Sequence, residues 1–247
     1  MRMTVASAAL CASLGAPVLV AQAPPAVQSG KEIRYVRDAE EYAVLTRLVY
    51  RSATRAVEGA ARQVPRGQAW AVSLDVDETA LDNSIYQLDR ATYGVPFDTN
   101  SWNAFVNRRE SGLVPGVRAF IQAVRRLGGR VAWITNRAEA VRQATRDNLA
   151  AAGLWHESDL LCLLSADPRY TKGARRAEAA GGSGACAWVG QQVTFLAFVG
   201  DAMGDFPAAG ESDPDAGNDA AFGTRYFMLP NPMYGSWERR VTRDRPR

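Results

Sequence analysis

Short, nearly unbroken apolar runs recur along the chain and alternate with longer stretches of helical periodicity. The first run, Ala69-Trp70-Ala71-Val72-Ser73-Leu74, stops abruptly at Asp75. Others cover Arg130–Ile134, Asp159–Leu164, Val193–Val199 and Thr224–Pro230. Runs of this kind, bounded by polar groups, read as buried strands. From Asp38 to about Gln63 the pattern is helical. Tyr42, Leu45, Leu48, Val49 and Ala56 fall near one face, and Pro65-Arg66-Gly67 stops the helix. Pro115-Gly116 opens a helix to Leu127, another spans about Ala138 to Ala152, and one near Thr171–Ala180 ends in Gly181-Gly182-Ser183-Gly184.

Strands alternating with helices at this spacing predict an α/β fold: a Rossmann-like, mostly parallel sheet with right-handed crossovers and flanking helices. Residues from about 82 to 114 break the pattern. Tyr86, Tyr93, Phe97, Trp102 and Phe105 alternate there with polar groups, which reads as an irregular segment beside the strand ends, a small cap or a helical subdomain. The acidic stretch Glu211-Ser212-Asp213-Pro214-Asp215 reads as a loop.

The ends of the chain read differently from its middle. Residues 1–23 carry Arg2, then small and apolar residues, then Ala21-Gln22-Ala23, the pattern of a cleaved export signal. The stretch is short for a membrane span. Leu10 precedes Cys11 where a lipoprotein signal wants a small residue, so a lipid anchor is not expected. Residues 24–34 read as a linker, 35–240 as one domain and 241–247 as a basic solvated tail. The expected location is the periplasm or outside the cell, with no stable membrane span after cleavage.

Composition narrows the chemistry. The 247 residues carry 29 basic and 26 acidic groups, a net charge of +3, with no long basic run. That is too balanced to argue for nucleic acid as a partner. The single histidine, His156, removes histidine-nucleophile phosphatases, Ser-His-Asp hydrolases and multi-histidine zinc sites. Cys162 lies in an apolar run and reads as a buried free thiol, although export would permit a disulfide with Cys186.

Polar groups then gather at the strand ends. Asp75 and Asp77, two residues apart after the first strand, can divide the work of nucleophile and proton carrier. In open α/β sheets ligands sit at that end of the strands. Thr135-Asn136 closes the second strand, where a hydroxyl and an amide can donate to phosphate oxygens; Asn136 also reads as the cap of the following helix, with Glu139 completing a capping box. Lys172 follows the third strand. The chain has two lysines against 27 arginines, so a lysine here suggests a compact charge in a tight space. The fourth strand ends in Gly200-Asp201-Ala202-Met203-Gly204-Asp205, where Gly200 permits close approach of a ligand. Asp201 and Asp205, four apart, fall on one face of a helical turn. Clustered carboxylates repel unless a cation lies among them, and oxygen-only donors point to Mg²⁺.

In this order the motifs resemble the haloacid dehalogenase superfamily. More closely, the chain is similar to the secreted class B acid phosphatases related to a bacterial outer-membrane lipoprotein acid phosphatase that acts as a broad nucleotidase. Asp75-Val76-Asp77-Glu78-Thr79-Ala80-Leu81-Asp82-Asn83-Ser84, Val114-Pro115-Gly116, Thr135-Asn136-Arg137, Gly200-Asp201 and Leu229-Pro230-Asn231-Pro232-Met233-Tyr234-Gly235-Ser236-Trp237-Glu238 carry the likeness, over roughly residues 35–240. It implies a phosphomonoesterase in which Asp75 forms an aspartyl-phosphate and Asp77 handles the proton. It further implies Mg²⁺ on Asp75, Asp201 and the Asp77 carbonyl, with Asp205 in or near the shell. Thr135, Asn136 and Lys172 would bind phosphate, and Trp102 and Tyr234 would sandwich a nucleotide base. Nucleoside 5′-monophosphates are the expected substrates. Transfer to an alcohol other than water through the same intermediate is one alternative, and a non-catalytic binding or storage protein is another. Ala202 stands where relatives often carry a polar residue, and the Gly181–Gly184 loop and the acidic stretch depart from the family pattern.

Overall fold

The first apolar run of the sequence becomes the middle strand of a five-stranded sheet. The computed structural model describes residues 30–239. The export signal, the basic tail and most of the linker lie outside the described residues. Helices α1 (Lys31–Asp38) and α2 (Glu40–Ala61) lead into β1 (Ala69–Leu74). The short β2 (Leu81–Asp82), α3 (Ser84–Tyr93), α4 (Thr99–Arg108) and β3 (Gly112–Leu113) follow. The chain continues through α5 (Val117–Arg126), β4 (Arg130–Ala138), α6 (Arg142–Ala151), β5 (Leu160–Leu164), α7 (Lys172–Gly181), β6 (Val193–Gly200) and β7 (Tyr226–Met228). The helix α1 starts within the segment read as linker, so that linker is shorter than expected.

The sheet order is β5-β4-β1-β6-β7, and every pairing is parallel. From β1 the chain builds outward to β4 and β5, then returns to add β6 and β7 on the other side. The carboxyl end of β1 is thus flanked by β4 and β6, the place where a ligand crevice opens in such sheets. Both faces are covered, which is why β1 reads as continuous apolar sequence. Val72, Leu74, Val131 and Trp133 pack on α2 and α5 through Tyr50, Val57, Phe120 and Ile121. Ala71, Ala132 and Ile134 face the side of α7, with Phe195, Phe198 and Tyr226.

Two local expectations are corrected. The buried stripe of α2 is Tyr42, Thr46, Tyr50, Ala53 and Val57, whereas Leu45 and Leu48 are exposed. The helix is turned so that the Tyr50 hydroxyl donates to the Thr79 carbonyl at 2.6 Å, beside the loop after β1. A buried tyrosine needs such a partner, and that requirement overrides the leucine pattern. Strand β4 runs on to Ala138, so Asn136 is not a helix cap; a single tight turn at Glu139–Val141 precedes α6. Of the readings open for the segment 82–114, the structure has the helical one: α3 and α4 form a small helical subdomain around Tyr86, Phe105 and Val106, with Trp102 against it. Its two ends are tied by the antiparallel pair β2–β3.

Cys162 is buried but not free, since it is bridged to Cys186. Gly182 and Gly184, both at positive φ, turn the chain back after α7, and Cys186 N–H donates to Glu178 at 2.9 Å. The bridge fastens β5 to the far end of α7. Among the described residues no helix is long and apolar enough to cross a membrane.

The bridged cysteines are 24 residues apart. A link of that span contributes about 3 kcal/mol through chain entropy. The double substitution Cys162→Ala, Cys186→Ala is expected to lower urea-unfolding stability by about that amount. A loss below about 0.5 kcal/mol would show that the bridge is not a staple.

Candidate active site

Strand register sets the site. Leu74 is level with Trp133 of β4 and Val199 of β6, and Asp75 N–H still donates to the Val199 carbonyl at 3.1 Å. Asp75 therefore comes level with Ile134 and Gly200, one residue before Thr135 on one side and Asp201 on the other. Beyond it the chain makes a tight turn in which Ala80 and Leu81 N–H both return to the Val76 carbonyl. Glu78 takes a left-handed conformation there, φ 53°, which a non-glycine residue adopts only when its surroundings hold it. Its carboxylate is buried and accepts from the Asn83 backbone N–H at 2.9 Å and from the Tyr234 hydroxyl.

Asp75, Asp201 and Asp205 each bring a carboxylate oxygen within 4.8 Å of the others. Lys172 Nζ bridges two of them, at 2.7 Å from Asp75 Oδ1 and 2.5 Å from Asp205 Oδ1. Lys172 is the first residue of α7, where the helix dipole disfavours a cation. The carboxylates keep it charged: burial alone would lower its pKa, but Asp75 and Asp205 drive it upward overall. The acids remain under-compensated. Burial raises the Asp75 pKa well above its ordinary value, against the pull of Lys172 and with further repulsion from Asp205 and Asp201. Burial, then Asp205, pushes Asp201 up to about 6.

One ammonium among three acids leaves excess negative charge. Asp75 Oδ1 also receives no well-directed hydrogen bond, although Lys172 lies at ion-pair distance. All-oxygen donors, excess charge and an orphaned buried oxygen fit a hard divalent cation. The neighbours of the cluster are preset. Asp201 accepts from Thr79 Oγ1 at 3.2 Å and from Asn231 Nδ2 at 2.9 Å. Asp205 accepts from the Ala202 backbone N–H at 2.9 Å, so orienting that carboxylate requires no polar side chain at position 202. Arg176, paired with Glu211, holds the Gly204 and Phe206 carbonyls on either side of Asp205.

Asp77 does not join this cluster. Its carboxylate turns to Arg137 and Asn83, with Arg137 Nη2 at 2.7 Å. On the neighbouring strand Thr135 is fully buried and Asn136 is exposed. Arg175 joins them, donating to the Thr135 carbonyl at 2.5 Å and to Asn136 Oδ1 at 2.8 Å. The Asn136 NH₂ has no protein acceptor among the described residues. Trp102 packs against Tyr86 and Phe105 and lies under the Arg137 guanidinium, 5.6 Å from the ring centre. Tyr234 is tied to Glu78 through its hydroxyl. The two aromatics thus reach the Asp77–Glu78 turn from the cap and from the carboxyl-terminal loop.

Sequence reasoning gave no role to Arg137, Asn83, Asn231, Glu78, Arg175 or Arg176. The first four lie inside the motif blocks, but nothing in their spacing names their partners. Arg175 and Arg176 carried only one signal, their place one turn after Lys172.

The family described as HAD superfamily, subfamily IIIB (acid phosphatase) matches residues 4–237, and the chain belongs to it. Acid phosphatase 1 of Solanum lycopersicum is 31% identical over 166 residues, 65% of this chain and 56% of that protein. The chain therefore spans little more than half the length of that relative. The Class C acid phosphatase of Bacillus anthracis shares the fold at 25% identity and a TM-score of 0.70, covering 84% of this chain and 85% of that one. A second structure of it, with tungstate bound, gives a TM-score of 0.69 over the same coverage.

Gly200 was expected to let a ligand approach the backbone. It instead makes room for Asp205, because a Cβ at 200 would lie 2.2 Å from the Asp205 Cβ. Gly200→Ala is expected to displace that carboxylate. Saturating MgCl₂ should raise the melting temperature of the unaltered protein and raise that of the variant much less. Equal shifts would remove Asp205 from the cation site.

Proposed function

We propose that the chain is an exported, Mg²⁺-dependent phosphomonoesterase that works through an aspartyl-phosphate on Asp75. The observation that carries this is the Lys172 ammonium held between Asp75 and Asp205 at the edge of three converging carboxylates. A phosphate ester brings its own negative charge to a carboxylate nucleophile, and such an approach requires concentrated positive charge.

An Asp75 carboxylate oxygen attacks phosphorus, and the bond to the leaving alcohol breaks. Asp77 gives that alcohol its proton. Water then attacks the aspartyl-phosphate, Asp77 takes a proton from it, and phosphate leaves with Asp75 restored. Lys172 neutralises the nucleophile and a phosphate oxygen together. The Thr135 hydroxyl and the Asn136 NH₂ donate to the remaining oxygens. Mg²⁺, held by Asp75, Asp201 and the Asp77 carbonyl with Asp205 close by, would add the positive charge that Lys172 alone does not supply. Tungstate is a tetrahedral oxyanion, and its binding by the Bacillus anthracis enzyme is in keeping with phosphate recognition by this fold.

Nucleoside 5′-monophosphates are the substrates we infer, with the base against Trp102 and Tyr234. Stacking tolerates any base, which suits broad specificity. Export through residues 1–23 is supported by the Cys162–Cys186 bridge, since disulfides persist in oxidising compartments.

Three experiments test this. The mature chain should release phosphate from 5′-AMP with Mg²⁺ and stop in excess EDTA, and Asp75→Asn should lower turnover by more than about a thousandfold while leaving the fold intact. Substantial turnover by Asp75→Asn would sink the covalent role. Trp102→Ala should raise KM for 5′-AMP about tenfold, the loss of roughly one stacking contact, and leave the KM for ribose 5-phosphate little changed. Equal effects on both would make Trp102 a packing residue only.

A further inference from the structure

Asp77 is held asymmetrically. Its Oδ1 accepts from three N–H donors: Arg137 Nη2 at 2.7 Å, Arg137 Nε at 2.9 Å and Asn83 Nδ2 at 2.9 Å. Its Oδ2 has one long contact, Arg137 Nε at 3.3 Å. A carboxylate oxygen with three donors has no lone pair left for a reactant. The oxygen with a single weak contact keeps that capacity. The side chain of Asp77 is 17% exposed, so the carboxylate is not sealed off.

The clamp is itself immobilised. The Arg137 side chain is wholly buried. Its Nη1 donates to Thr145 Oγ1 at 3.3 Å, and the Trp102 ring lies beneath its guanidinium. Asn83 is fully buried too, and its Oδ1 accepts from Ser111 Oγ at 2.6 Å, which turns its NH₂ toward Asp77. β4, the cap, α6 and the β2–β3 pair thus all converge on one carboxylate oxygen. A forked donor fixes direction as well as distance, and it supplies the only charge partner of Asp77 among the described residues.

We propose that Arg137 is a positioning residue: with Asn83 it pins Oδ1 of Asp77 and thereby makes Oδ2 the oxygen that exchanges the proton. This rests on the role given to Asp77 in the proposed reaction. As the bond from Asp75 to phosphorus forms, the bond to the alcohol breaks and its electron pair stays on the alcohol oxygen, which takes the proton from Oδ2. When water attacks, the Asp75–phosphate bond breaks and the proton lost by water goes to Oδ2. A pinned Oδ1 holds Oδ2 in one direction through both halves. A carboxylate free to rotate would offer either oxygen in many orientations, and proton transfer would lose the benefit of alignment.

The test uses leaving groups. p-Nitrophenolate departs without a proton, whereas the alkoxide of glycerol phosphate requires one. Values of kcat/KM report the step in which the alcohol leaves, so a proton-transfer defect falls mainly on glycerol phosphate. Arg137→Lys keeps the buried charge but loses the fork. It is expected to lower kcat/KM on glycerol phosphate by about tenfold or more beyond any loss on p-nitrophenyl phosphate, within the range that general acids contribute. Equal losses on the two esters would make Arg137 structural and overturn the proposal. Asp77→Asn is run beside it. If Asp77→Asn shows no leaving-group bias, the proton role of Asp77 falls and this proposal falls with it. If Asp77→Asn shows the bias and Arg137→Lys does not, the positioning role alone is refuted. Should Arg137→Lys fail to fold by circular dichroism, Asn83→Ser removes one donor to the same oxygen and is scored in the same way.

Discussion

Everything at the carboxyl edge of this sheet is organised around one electrostatic constraint: three carboxylates share a space that one ammonium cannot neutralise. Asp75, Asp201 and Asp205 lie within 4.8 Å of one another, largely out of water. Their charges repel one another unless positive charge is supplied. Lys172 supplies part of it, and burial still pushes Asp75 and Asp201 upward. Converging carboxylates with uncompensated charge could hold a hard cation. The cost of assembling it is borne by its surroundings: the β6–β7 loop strapped by Arg176 and Glu211, and the Asn231 amide laid on Asp201. Like charges brought together in a native state generally mark function rather than stability.

The topology explains why the constraint can be met at all. A parallel sheet whose chain leaves its middle strand in two directions opens a crevice at that strand's carboxyl end. Three strands deliver side chains to it without any of them crossing the core. β1 gives Asp75, β6 gives Asp201, and β4 gives Thr135 and Arg137. The fourth contributor, Lys172, comes from the start of α7, whose position is fixed at the other end by the Cys162–Cys186 bridge. The cap enters from the loop after β1 and is closed by the β2–β3 pair, so its aromatic cluster meets the same crevice from above.

Much of this was legible from the chain, and the boundary between legible and illegible has a physical cause. Strands buried on both faces announce themselves as apolar runs, and polar residues that end such runs must face the crevice. That logic picked out Asp75, Thr135 and Asp201, whereas Lys172, the first residue of α7, stood out as one of two lysines among 27 arginines. It was weaker where burial is one-sided. Leu45 and Leu48 looked like the inner face of α2, yet Tyr50 and Thr46 are inside, because a tyrosine with a carbonyl to donate to is a good core residue. It failed where a partner is distant in sequence. Arg137 is 60 residues from Asp77, and Arg175 is 40 residues from Thr135. No periodicity encodes such pairs. Cys162 illustrates both cases: its burial was visible in the apolar run, while its bond to Cys186 depended on the path of a glycine loop.

The division of labour between the two basic residue types follows from the shape of their charges. Of 27 arginines, those buried at the site all act as forks. Arg137 grips a carboxylate and the hydroxyl of Thr145, Arg175 joins the carbonyls of two neighbouring strands to Asn136, and Arg176 spans Glu211 and two loop carbonyls. A planar guanidinium with five donors is suited to tying separate elements at fixed angles. It is poorly suited to sit between two carboxylates while also meeting a phosphate oxygen, as the proposed reaction asks of Lys172, because its donors lie in one plane and it occupies more room. An ammonium is compact and can redirect its three donors as charge arrives. A chain that uses arginine almost everywhere keeps a lysine at the buried position where, in the proposed reaction, the partners of a cation change, and the rigid positive charges stand one layer behind it.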